Sequence, residues 1–210
     1  MNEPAGKEGI ALRTANERDQ IALRGVRVQS RLVALGQKTT IEQTFVNLED
    51  RAIEAVYTFP LPEGAAVCHF EVITGDRVLT GQVEDTEQAE KEYDDHISKG
   101  DGAFLLEQHQ PNVFTINVGN LKPKQAVTIR ITYVAELTVH DSTIRLAFPT
   151  TVAPRYVTAT GMDPLEAIRE GEKINPPHVL TVPYGMSLEV IVDLALPLRS
   201  IESSSHNILT

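Results

Sequence analysis

Cys68 and His69 are the residues of this chain whose types could do nucleophilic chemistry from adjacent positions: a thiolate attacks, and an imidazole within hydrogen-bond reach takes its proton. They stand in FPLPEGAAVCHFEV, residues 59 to 72, which holds the single cysteine of the sequence. The stretch reads as a strand closed off by Pro60 and Pro62, and along a strand successive side chains point to opposite faces. Cys68 is then expected on one face with Phe70 and Val72, as a small apolar filler of the core, and His69 on the other with Glu71. Only a bulge would break that alternation. Glu107 and His109, two apart before Pro111, could share a strand face as an acid/base pair; a polar pair at a strand end is the plainer reading. Asp94, Asp95 and His96 fall on a helix, where neighbours diverge by about 100 degrees, so they cannot converge on one ion.

The six histidines, at 69, 96, 109, 140, 178 and 206, show no HxH or HExxH spacing, and the glycines match neither a phosphate loop nor a dinucleotide fingerprint. No catalytic, cofactor-binding or metal-binding residue is therefore expected, and no cofactor. One cysteine forms no internal disulfide. A formal charge of −10 would repel nucleic acid and anionic membrane surfaces. No run reaches the roughly 20 apolar residues of a membrane span, and MNEPAGKEGIALRTANERDQ lacks the apolar stretch of a signal peptide. This points to the cytoplasm if Met1 is the native start, and to the outside of the cell if the chain is an excised piece.

The elements around these residues are mostly strands. With 210 residues and 41% hydrophobic content the chain can bury a sizeable core. From residue 21 it alternates with period two between Gly, Pro, Asn and Asp punctuation. Val26, Val28, Ser30 and Leu32 oppose Arg27, Gln29 and Arg31; Ile41, Gln43 and Phe45 lead to a turn at 47–50; EAVYTF, 54–59, runs into the prolines. Further alternating sets are Phe114, Ile116 and Val118; Val127, Ile129, Ile131 and Tyr133; Ile144, Leu146 and Phe148; and Leu188, Val190, Val192, Leu194 and Leu196, with another short segment at 179–182. GNLKPKQ, 119–125, reads as a hairpin loop. One helix is expected from Asp85 or Thr86, with Ala89, Tyr93 and Ile97 as its docking stripe and Gly100 at its end. A second, short one is expected from Asp163 and Pro164 to Gly171. The fold class is all-β with one or two short helices, an antiparallel two-sheet β-sandwich.

FVNLEDRAIEAVYTFPLPEGAAVCHFEV, GQVEDTEQAEKEYDDHISKG and AFLLEQHQPNVFTINVGNLKPKQAVTIRITYVAEL stand in this order. They resemble the vault protein inter-alpha-trypsin (VIT) domain, found in inter-alpha-trypsin inhibitor heavy chains and in the vault-associated poly(ADP-ribose) polymerase. The resemblance implies a flexible segment at 1–20, a VIT-like sandwich at 21–197 (family-like core 23–137, completing strands 138–197), and a linker at 198–210 toward a von Willebrand factor type A domain. It therefore also implies that the chain is a piece of a longer protein. The DxSxS of that domain's adhesion site is not in this sequence. The expected role is non-catalytic: a protein-interaction or scaffolding module packing on a type A domain in cis, through strand edges and the 149–178 connection. Two rivals stand beside it, a secreted adhesion or matrix protein and a hydrolase with a fold-assembled site including Glu107 and His109. Partner identity and oligomeric state are not legible.

Overall fold

The computed structural model describes residues 13–14, 21–82, 86–110, 112–149, 184–195 and 197–210. Its strands are β1 (Arg13–Thr14), β2 (Ile21–Val33), β3 (Gly36–Asn47), β4 (Ile53–Pro60), β5 (Ala66–Thr74), β6 (Arg77–Thr80), β7 (Ala103–Gln110), β8 (Val113–Leu121), β9 (Ala126–Glu136), β10 (Val139–His140), β11 (Thr143–Ile144) and β12 (Gly185–Asp193), with one helix, α1 (Thr86–Ser98). Two sheets carry the fold among the described residues, one of order β12-β2-β3-β9-β5-β6 and one of order β1-β4-β8-β7. The all-β sandwich expected from the sequence is the fold observed. Within the lead segment 1–20, Arg13–Thr14 pairs with Val56 and Ala55 of β4.

The alternation in sequence becomes alternation in burial. Val127, Ile129, Ile131 and Tyr133 of β9 are at most 1% exposed; beside them in the sheet stand Phe45, Gln43, Ile41 and Thr39 of β3. The facing sheet contributes Ile53, Ala55, Tyr57 and Phe59 from β4 and Phe114, Ile116 and Val118 from β8. An aromatic ladder ties the layers: Phe45 meets Tyr57 across the interface at 5.0 Å, Tyr57 stacks on Phe59 at 5.4 Å, and Phe59 on Phe114 at 5.8 Å. Burying each such ring stabilises the fold by about 1.5–3 kcal/mol, with more from the offset ring contacts. The Tyr57 hydroxyl receives a hydrogen bond from Gln43; burial raises its pKa far above the ordinary phenol value, so it stays neutral.

Asn47, fully buried at the end of β3, fastens three segments. The two N–H groups of its Nδ2 are shared among the carbonyls of Arg51 (2.9 Å), Leu121 (2.9 Å) and Lys122 (3.1 Å), and its Oδ1 accepts from the Glu49 amide at 2.8 Å. The turn that the sequence places at 119–125 is tighter than expected. Its closing bond runs from the Gln125 amide to Lys122 O, and Gly119 belongs to β8 instead.

Helix α1 docks by the stripe the sequence predicts: Ala89, Tyr93 and Ile97 are half-buried and the rest of the helix is exposed. It ends where expected. The Gly100 amide bonds Ile97 O and the Asp101 amide bonds His96 O, the two bonds of a Schellman cap, with Gly100 at φ +78°. A Cβ on Gly119 would lie 1.9 Å from Ile97 Cδ1 and 2.9 Å from Tyr93 Oη, so glycine here is what lets the helix sit on the strand.

Two expectations are corrected. The final strand is an exposed edge. Leu188, Val190 and Val192 were expected to bury as a core face, yet β12 is exposed or half-buried throughout. It also runs parallel to β2 within an otherwise antiparallel sheet. In the 138–149 stretch, pairing stops after Ile144, although Ile144, Leu146 and Phe148 keep alternate half-burial. The expected helix at 163–171, the segment at 179–182 and most of the 149–178 connection lie outside the described residues.

Candidate interaction surface

Cys68 is exposed, which overturns its reading as core filler. The cause is a register shift: Val67 pairs with Tyr133 and His69 with Thr132, leaving Cys68 as the extra residue of a bulge. Its Sγ lies 3.5 Å from the Thr132 carbonyl, and His69 turns instead to Glu71, with Nε2 3.0 Å from Oε1. His69 and Glu71 therefore share a face as expected, and the ring is engaged by a carboxylate rather than by the thiol.

That carboxylate belongs to a row across the outer face of the larger sheet. Arg130 of β9 donates from Nε to Glu42 of β3 at 2.8 Å and from Nη1 to Glu71 of β5 at 2.7 Å. Hydrogen bonds from His69 first, then from Arg130, hold the Glu71 carboxyl below its ordinary pKa, and the two carboxylates in turn favour the charged guanidinium. Thr40–Thr132 (3.0 Å) and Thr44–Thr128 (2.9 Å) flank the row. Sequence reasoning missed it. Glu42, Glu71 and Arg130 all fall on polar phases of their alternations, but only the register brings them together.

The other candidates have separate surroundings among the described residues. Glu107 of β7 accepts a hydrogen bond from Asn117 at 2.7 Å. The register with β8 shifts between Gln108 and Gln110, and the side chain of His109 is outside the described residues. Asp94, Asp95 and His96 point from an exposed helix face, with His96 Nδ1 3.5 Å from Asp101. Among the described residues no group of three or more His, Cys, Asp or Glu could hold a metal ion, and no helix is long and apolar enough to cross a membrane.

Two surface features could receive a partner. A cleft of about 930 Å³ opens beneath α1, lined by Val67, Phe70, Leu79, Tyr93, Phe104 and Leu106 among others; burial, then the charges of Glu54 and Asp94, push the Tyr93 phenol up to about 12. The second is an apolar edge: Met186, Leu188 and Ile191 on β12 are 42%, 46% and 50% exposed. Past the strand, Leu198, Ile201, Ile208 and Leu209 continue this character, all large and all exposed.

Residues 23–133 match the family described as the vault protein inter-alpha-trypsin domain. The protein mono-ADP-ribosyltransferase PARP4 of Mus musculus is 32% identical over 206 residues, which is 96% of this chain and 10% of that protein. Its Homo sapiens counterpart is 38% identical over 134 residues, 64% of this chain and 8% of that protein. The von Willebrand factor A domain-containing protein 5A of Homo sapiens is 27% identical over 190 residues, 89% of this chain and 24% of that protein. This chain thus spans a quarter or less of the length of these relatives.

Proposed function

The chain belongs to the vault protein inter-alpha-trypsin domain family, and from that premise we propose that it is a non-catalytic protein-interaction module that packs against a von Willebrand factor type A domain in the same polypeptide. The observation that carries this reading is the set of exposed apolar side chains at Leu198, Ile201, Ile208 and Leu209, in the segment that follows the last strand. Large apolar groups gathered in one exposed segment mark a surface that is covered in use. The relatives named for type A domains supply the kind of cover. In this reading residues 21–197 form the module and 198–210 are the contact segment leading to the partner. The ADP-ribosyl transfer in the name of the mouse and human relatives belongs to proteins of which this chain spans a tenth or less, and it is not carried over.

The test joins the type A domain of the human protein 5A to residue 210 and compares its melting with that of the two parts alone and mixed. A rise in the midpoint of either part, lost when Leu198 and Ile201 are changed to Ser, supports the reading. Unchanged midpoints in cis and in trans sink it.

A further inference from the structure

Among the described residues the outer edge of β12 is free and self-complementary, and we propose that it pairs antiparallel with the same edge of a second copy of this chain, about a two-fold axis through Val190. This is independent of any type A partner. Among the described residues β12 ends its sheet, bonded to β2 on one side only. Asp193 accepts a hydrogen bond from the Ala34 amide at 3.3 Å, so its carbonyl points toward β2. In a strand the amide and carbonyl of one residue share a side and successive residues alternate. Val192, Val190, Leu188 and Met186 therefore aim their backbone groups at the open edge, a nine-residue strand with four donor and acceptor pairs unmatched by β2.

Side chains choose the register. Met186, Leu188, Val190 and Val192 are paired with Val26, Val28, Ser30 and Leu32 and lie on the same sheet face as they do. With the axis at Val190, Leu188 of one copy meets Val192 of the other, Met186 meets Leu194, and Val190 meets itself, giving an unbroken apolar stripe. On the opposite face Glu189 meets Ile191 and Ser187 meets Asp193. Moving the axis one residue sets Glu189 against Glu189, or Glu189 against Asp193; like charges directly opposite are destabilising. A long apolar edge without an inward charge, proline or bulge is the kind that pairs with another chain. Glu189 and Asp193, the charges on this strand, are already engaged by Gln29 (2.9 Å) and Arg31 (3.1 Å).

The experiment uses the 210-residue chain in sedimentation equilibrium. A single strand-to-strand contact is at the small, transient end of interfaces, so the mass should climb from 23.1 kDa toward twice that value across roughly 10–1000 µM. Val190→Pro removes an amide that β2 does not use and should leave a monomer with the parent's melting temperature; Val190→Lys, which keeps the backbone amide, should do the same by setting like charges on the axis. In a Cys68→Ser background, Val190→Cys should form an intermolecular disulfide at least tenfold faster than Leu188→Cys, because only the residue on the axis faces its own copy. A monomer at every concentration overturns the proposal, as does a dimer indifferent to folded Val190→Pro and Val190→Lys variants, or Leu188→Cys cross-linking as fast as Val190→Cys.

Discussion

Replacing Asn47 by alanine tests how much of the sandwich hangs on one buried amide. The side chain serves three carbonyls and one amide, all 2.8–3.1 Å away. Alanine leaves the Leu121 carbonyl buried without this donor, at about 1–3 kcal/mol, and loses the three part-buried bonds at about 0.5 kcal/mol each. The total is about 2.5–4.5 kcal/mol, or roughly 5–18 °C in melting temperature for a chain of this size. Asn47→Asp separates donors from shape: it keeps the acceptor for Glu49 but turns a carboxylate on three carbonyl oxygens, and should be at least as damaging as alanine. Urea unfolding followed by far-UV circular dichroism measures both, with the slope m held constant to show that the end states are unchanged. A loss under about 1 kcal/mol for Asn47→Ala, or an aspartate variant as stable as the parent, would refute the reasoning.

Gly119→Ala should cost roughly 1–3 kcal/mol and expose α1 to trypsin at Lys91 and Lys99, because the new methyl meets Ile97 Cδ1 at 1.9 Å; adding Ile97→Ala should recover part of the loss, and a single variant as stable as the parent contradicts the close-approach argument. Glu71, held below its ordinary 4.5 mainly by His69 and then Arg130, binds protons more weakly folded than unfolded, so its stabilisation is full above pH 4.5 and drains as pH falls through the lowered folded value. Melting temperatures between pH 3 and 7 should therefore drop less steeply on the acid side for Glu71→Gln than for the parent; equal slopes would count against the row.

The strands with one buried face were legible because burial and alternation coincide in β2, β3, β4 and β9, and the α1 stripe because Ala89, Tyr93, Ile97 and Gly100 carry a helical period and its stop. Cys68 was misplaced for a definite reason: a bulge adds one residue, flips the phase of everything before it, and leaves no mark in residue types. β12 shows the limit of periodicity itself. An alternating apolar strand reads the same whether or not a second sheet covers it. The smaller sheet has four strands and the larger six among the described residues, so the larger one overhangs. In the sequence Asn47 and Gly119 read as punctuation of turns. Their actual work, tying carbonyls from two loops and admitting a helix, depends on neighbours far away in sequence. The Glu42–Arg130–Glu71 row was hidden for the same reason.

The parallel seating of β12 on β2 also orders events in time. Gln29 bonds Glu189 across 160 residues of chain, whereas β2 and β3 are joined by a short turn. At roughly 5–20 residues per second of synthesis, the outer side of β2 waits about 8–32 s on the ribosome before its neighbour exists. Until then the newborn sheet exposes the unmatched backbone of β2, and a chaperone or a sister chain from the same polysome can reach it first.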